Sequence, residues 1–407
     1  IDRRAWLLAG LVVAVPLVQL VPLPPSLWQA LPGREREVAA LALVGAENSW
    51  MPWSQTPSRT LAALLAMLPP VVLFLLAARL GRRGRSLLLA TIVAGCLASI
   101  ALGALQLASG EGTDWRLYAN THLTWLTGFQ SNRNAQADVL IAGLLALAAV
   151  HAAGPRGDGS EYGERRGLGA GAAVIALLLL AGAVLTGSRM GIALLALGVP
   201  LALLIVWQGN PLRARLPGPA LLAVGVAGLA VLAAGLLQLP AVSRVADRFL
   251  NDGDSRALIW DDTRVALAEA WPAGSGLGSF EPVFAASESL ENVTTRYHAR
   301  AHNDWLEFAL EAGLPGLIVL GAIVGLLAWL AVRGMLARAR GALDRVEAAQ
   351  LLAGSGILLV LGLHSLVDYP LRSMSLACVA AVAAAMHFPL MTSMRPHGGG
   401  APDRGPV

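Results

Sequence analysis

Long apolar runs separated by short polar connections fill almost the whole chain. The runs and their flanks predict spans at residues 5–22, 59–79, 86–108, 134–153, 169–187, 190–207, 218–238, 314–333, 348–367 and 373–391, about ten in all. Each comes close to the roughly 20 residues that carry a helix across about 30 Å of hydrocarbon. A backbone in lipid must satisfy its own hydrogen bonds, so the spans are expected to be helices, in an all-α polytopic membrane protein.

The connections alternate in character. One set carries Arg3 and Arg4, the run Arg79 to Arg85, Arg156 to Arg166, Arg213 and Arg215, and Arg333 to Arg345; by the positive-inside rule it is cytoplasmic. The other set, residues 23 to 58, 109 to 133 and 239 to 313, is longer and richer in Trp and polar groups, and is expected to face outward. The last of these holds helix-compatible "SRALIWDDTRVALAEA" and a Gly-rich turn, "PAGSGLGSF". It is too short and plain for an independent domain. Residues 1–391 therefore read as one membrane domain with 239–313 inserted as a large outward loop. The Gly/Pro-rich segment 392–407 reads as a disordered cytoplasmic tail.

Composition agrees. Of 407 residues, 56% are hydrophobic and 14% charged, against about 45–50% and about 25% in soluble proteins. All 30 basic residues are Arg, but they lie in short clusters between apolar runs, a topology signal that argues against nucleic acid as a partner. Cys96 and Cys378 fall inside spans as small hydrophobes, with no disulfide framework and no CxxC site. Trp6, Trp28, Trp50, Trp53, Trp115 and Trp125 fall near span ends, as an interfacial belt would. The chain opens on Ile1 rather than Met, which suggests a trimmed start, and no signal-peptide cleavage site is read there.

Polar islands interrupt the pattern. "ARAHNDWLEFALEAGLPGL" (299–317) reads His-Asn, nine residues, Gly313, two residues, Gly316, with Asp304, Glu307 and Glu311 on one helical face. The bland account is a solvated lead-in helix capped near Asn303, with a bend at Gly313 and Pro315. "TGSRMG" leaves Arg189 in a tight hairpin, either snorkelling or waiting as a fixed positive charge for an anion. "NDGDSRALIWDDTR" offers Arg256 and Arg264 two helical turns apart, able to face one phosphate or to pair with the neighbouring aspartates. Its Asp252-Gly-Asp254 is a weak metal motif. "FQSNRNAQADVL" supplies Asn132, Arg133, Asn134 and Asp138 at the entry of a span, where the ordinary role of Asn134 and Asp138 is to cap a helix. In "HSLVDYPLR", with His364, Asp368, Tyr369 and Arg372, the economical reading is a local His364 to Asp368 hydrogen bond. All five islands fall on the outward side, and their conjunction points to an anion site there.

These stretches, over roughly residues 115 to 390, resemble the O-antigen ligase and O-antigen polymerase family of bacterial envelope glycosyltransferases. The His-Asn-x9-Gly-x2-Gly pattern and the Arg256 to Trp260 spacing are the most specific elements. The resemblance implies a GT-C-like fold in the inner membrane with a large periplasmic loop. It also implies metal-independent transfer with no cofactor, inversion at the anomeric carbon, and a donor glycan on undecaprenyl pyrophosphate. Arg189 and Arg256 would match the family's essential arginines and His302 its essential histidine. Arg264, Asn303, Arg133, Asn134, Asp368 and Arg372 are expected to contact substrate.

The chemistry suits those residues. Pyrophosphate is a good leaving group, so the main demand is to hold it and its growing charge, which arginines do bidentately. The attacking hydroxyl must lose a proton, and imidazoles, with an ordinary pKa of about 6.5, suit that task. The acceptor is a lipid A-core saccharide for a ligase or a growing chain for a polymerase; protein O-oligosaccharide transfer is a third possibility. A flippase or other transporter would need charges inside spans, and runs such as "LLAVGVAGLAVLAAGLLQL" carry none. No internal repeat supports an inverted-repeat transporter. A structural scaffold would need neither these arginines nor His302.

Overall fold

The computed structural model describes residues 2–110, 114–154, 162–208, 256–293 and 297–388. Helices are α1 (Arg3–Gln19), α2 (Pro25–Trp28), α3 (Glu35–Ala42), α4 (Pro57–Arg79), α5 (Arg82–Ala108), α6 (Arg133–Ala153), α7 (Tyr162–Leu185), α8 (Arg189–Gln208), α9 (Arg256–Ala270), α10 (Phe280–Ser287), α11 (Asp304–Ala339), α12 (Arg345–His364) and α13 (Met374–Ala385). Two-residue strands β1 (Pro22–Leu23) and β2 (Met51–Pro52) pair antiparallel. Helix starts follow side-chain caps: Asn132 accepts from the Asn134 amide at 2.8 Å, Asn303 from Leu306 at 3.0 Å and Asp344 from Glu347 at 2.9 Å.

Among the described residues, six helices, α4, α5, α6, α8, α11 and α12, are long and apolar enough to cross a membrane. Residues 169–185 of α7 and all of α13 form shorter apolar helices, and α1 has 17 residues. The expected span at 218–238 lies outside the described residues.

α6 is the centre of the bundle. It is apolar on every side beyond its first turns and packs against α5, α7, α8 and α12. Small residues permit the approach, since a Cβ on Gly143 would come within 2.5 Å of the Cys96 Sγ. On the periphery, α4 turns Leu61, Leu65, Leu68, Val72 and Leu76 outward, and α11 does the same with Ile318, Val324 and Val332, as lipid contact requires.

The two ends of the bundle differ in chemistry. At one end Arg82 pairs with Asp344 at 2.9 Å, Arg345 donates to the Ala152 carbonyl, and Arg4 and Arg333 both lie 4.8 Å from the Trp329 ring. At the other end the Gln19 amide donates to the Glu311 carbonyl at 2.9 Å, Thr60 to the Leu277 carbonyl at 2.8 Å, and Leu126 to the Leu185 carbonyl at 3.2 Å. Among the described residues, Arg4, Arg82, Arg333 and Arg345 thus gather at the end opposite the polar islands, whereas Arg156, Arg213 and Arg215 lie outside the described residues. The tryptophan expectation needs correcting. Trp6, Trp50 and Trp115 are exposed, but Trp28 is buried with its indole donating to the Ser49 carbonyl, and Trp53 donates to the Ala273 carbonyl. Trp125 packs against Gly187.

Candidate functional site

His302 occupies a strap fixed from two sides. The Trp260 indole on α9 donates to the Ala301 carbonyl at 2.9 Å, and Glu307 on α11 accepts from the Ala301 amide at 2.9 Å and from the Arg300 guanidinium at 2.8 Å. His302 itself has a φ of +52°, a conformation uncommon outside glycine that persists where surrounding structure over-determines it. Its Nδ1 lies 3.2 Å from Asp368 Oδ1, and its ring meets Tyr369 edge-on with centroids 4.9 Å apart. A carboxylate at Nδ1 selects the tautomer protonated there, which leaves Nε2 as the basic nitrogen. Nε2 has no hydrogen-bond partner among the described residues.

Asp368 is buried and also receives the Asn134 side-chain amide. Burial alone would raise its pKa, but the His302 hydrogen bond and charge, with His364 and Arg256, hold it below the ordinary carboxylate value. The neighbouring Tyr369 phenol is pushed up by burial and by the Asp368 charge, so it stays protonated.

Two expectations are overturned here. The lead-in helix is capped at Asn303, but it is not solvated: Glu307 and Glu311 are both 0% exposed. They converge with Asp304 on Arg372, whose guanidinium lies 2.8 Å from Glu311 and 3.4 Å from each of the other two. Burial opposes the Arg372 charge, yet the three carboxylates hold its pKa above the ordinary guanidinium value. His364, in turn, does not bond the Asp368 side chain four residues on. Its Nδ1 meets Asp138 Oδ1 of α6 at 2.6 Å, while Asp368 turns to His302. A residue one turn away in sequence loses to one brought by packing α12 on α6.

The expected bend is real. Gly313 has φ +60° and ψ −164°, a region only glycine enters readily, and breaks α11 into two segments. The Gly-rich turn after α9 covers the break: Ser275 and Gly276 amides donate to the carbonyls of Leu310 and Glu311 at 3.0 and 2.8 Å. Those two amides therefore cap a helix end.

A cavity of about 400 Å³ opens beside Asp368, in the size range of small-ligand sites. Asp138, Gln130, Asn132, Tyr118, Arg300 and Tyr369 are among its walls.

The other expected site residues divide. Arg256, in the first turn of α9, is near enough for its charge to act on Asp368. Arg189 begins α8, where a Cβ on Gly191 would come within 2.5 Å of the Ala137 Cβ, so it stands at the same end of the bundle as Asn134 and Asp138. Arg133 is buried with its guanidinium 5.4 Å from the Trp125 ring. Arg264 is exposed and pairs with Asp261 on its own helix, the surface-network alternative. Asn303 uses its side-chain oxygen as the cap, and Arg372 faces carboxylates. The Asp252-Gly-Asp254 motif lies outside the described residues. Arg300 and Gln130, which the motifs did not single out, also line the cavity; the place of Arg300 two residues before His302 was the available signal.

Residues 174–321 match the O-antigen ligase family. They include Arg189, Arg256 and the whole His302 to Gly316 pattern, and the match agrees with the resemblance those motifs carry. No curated protein matches the chain.

Proposed function

We propose, proceeding from that family match, that this multi-pass membrane protein transfers a glycan from an undecaprenyl-pyrophosphate donor to a saccharide acceptor at the polar end of its bundle. Glycosyltransfer of the O-antigen ligase or polymerase type is the general activity the family implies. The observation that carries the finer reading is His302 held at Nδ1 by Asp368, with Nε2 open.

The acceptor hydroxyl attacks the anomeric carbon while its proton passes to His302 Nε2. The new carbon–oxygen bond forms as the bond to the pyrophosphate oxygen breaks, and the electron pair leaves with the lipid pyrophosphate. Arg256 and Arg189 neutralise the charge that grows there, the role a metal ion plays in other transferases. The reading puts the polar end on the periplasmic side of the bacterial inner membrane, with ten spans and residues 239–313 as the periplasmic loop.

Ligation is the first reading; polymerisation shares its chemistry and differs in the acceptor. The test expresses the His302→Ala variant in a strain lacking its own copy and follows the lipid-linked glycan. A transferase accumulates unused donor while the variant protein remains inserted, whereas a flippase traps donor on the cytoplasmic leaflet. Normal transfer by the variant would overturn the reading. Glycan length and acceptor analysis in the same cells separates ligase from polymerase.

A further inference from the structure

We propose that Asp138 is a saccharide-binding residue, its Oδ2 accepting a hydrogen bond from a hydroxyl of the acceptor glycan in the 400 Å³ cavity, with His364 positioning the carboxylate. The inference rests on the transfer reaction proposed above and adds to it a residue in contact with substrate.

Asp138 is the only carboxylate in α6 and is 1% exposed. Its Oδ1 is 2.6 Å from His364 Nδ1, while its Oδ2 is buried without a hydrogen-bond partner among the described residues, and the residue lines the cavity. A buried carboxylate oxygen left without a donor costs about 1–3 kcal/mol or more, a cost that a hydroxyl donor from the cavity would offset. His364 is itself 1% exposed at the last turn of α12, and its bond to Oδ1 restricts rotation of the carboxylate.

The cavity wall selects the ligand class. Two carboxylates, Asp138 and Asp368, share it with Gln130, Asn132 and Tyr369. A phosphate there would face like charge, whereas a neutral polyhydroxyl ring supplies hydroxyl donors to the carboxylates and accepts from the amides. Arg300 and Arg372, also in the wall, are already bonded to buried carboxylates. Neither Arg189 nor Arg256 lines the cavity, so the pyrophosphate binds outside it. Asp368 both lines the cavity and bonds His302, so one carboxylate joins the cavity wall to the base, which itself stands outside the lining. The occupant is therefore the acceptor.

Binding tests this without requiring turnover. Protein in nanodiscs is titrated by saturation-transfer NMR with methyl glycosides of glucose, galactose, mannose, rhamnose and N-acetylglucosamine, and separately with inorganic pyrophosphate. At least one glycoside binds the wild type. Asp138→Asn, which swaps an acceptor for a donor at the cavity face, weakens that binding at least tenfold and leaves pyrophosphate binding intact. Arg256→Ala does the reverse. Ala135 also lines the cavity, and Ala135→Leu, which keeps the dyad and fills the cavity, weakens glycoside binding equally. His364→Asn, whose amide reaches the Nδ1 position, retains more binding than His364→Leu. Wild-type glycoside binding by Asp138→Asn overturns the proposal, as does no binding of any glycoside to the wild type. Loss with Ala135→Leu alone overturns the role of Asp138. Failure of the transfer reading would appear instead as undiminished transfer by His302→Ala.

Discussion

Replacing Asp368 with Asn keeps shape and volume but changes which proton His302 carries. In the native site Asp368 Oδ1 accepts from His302 Nδ1 at 3.2 Å, and Oδ2 accepts from the Asn134 side-chain amide. Asn134 reaches this position with its donor, so Asn at 368 turns its oxygen toward Asn134 and its NH2 toward His302. An NH2 at Nδ1 forces the ring proton onto Nε2, the nitrogen that must accept the acceptor's proton. Loss of a correctly protonated base costs about 100- to 10,000-fold in rate, or about 3–5 kcal/mol at about 1.36 kcal/mol per tenfold. Because the orientation follows from Asn134, exchanging both residues is expected to repair it. Asn134→Asp with Asp368→Asn lets the new carboxylate receive the amide and returns an oxygen to His302 Nδ1. Single-turnover transfer by purified protein in proteoliposomes, at matched levels of folded protein, measures both. The single variant loses at least 100-fold and the exchanged pair recovers at least tenfold of that. Full activity in the single variant, or an exchanged pair no better than it, would refute the tautomer argument.

Arg372→Met leaves three buried carboxylates around an apolar side chain, so the expected result is a loss of about 3–5 kcal/mol in stability, read as a lower melting temperature and less inserted protein. Gly313→Ala puts a Cβ 2.4 Å from the Pro272 carbonyl in a backbone region closed to alanine, and is expected to cost more than about 2 kcal/mol by the same assay. The folded-state pKa of Asp368 lies below its ordinary 3.8, so its stabilising share is present above that value and is lost as pH falls through the folded value. The melting-temperature gap between wild type and Asp368→Asn should therefore not shrink from pH 7 to 5 and should narrow only below about 4. A gap that shrinks between pH 7 and 5 would contradict the depressed value.

Much of the fold is legible because period and composition act locally. An apolar run such as residues 134–153 has to be helical in lipid whatever surrounds it, and Asn303 marks a helix start through a bond that spans three residues. The bend at Gly313 is legible for the same reason, since glycine beside Pro315 weakens the helix at that point. What the pattern could not reveal is how a face is covered. The Asp304, Glu307 and Glu311 stripe has the spacing of a solvated helix, and only the arrival of Arg372, Arg300 and the Phe280 amide converts it into a buried network.

The candidate site divides along the same line. His302 and Asp368 stand out by residue type, but their pairing joins residues 66 apart, and the pairing of His364 with Asp138 joins residues 226 apart. Sequence proximity favours His364 with Asp368, because a helix brings i and i+4 together. α12 ends at His364, however, and the turn that carries the chain on to Asp368 keeps only the backbone contact between the two, while each side chain meets a partner from elsewhere in the fold. The Asp368 amide bonds the His364 carbonyl at 2.9 Å, which holds the two residues together through backbone and frees both side chains for partners on other helices. Ending α12 at that residue turns one possible local pair into two long-range His–Asp pairs, one at the strap that carries the base and one in the cavity wall.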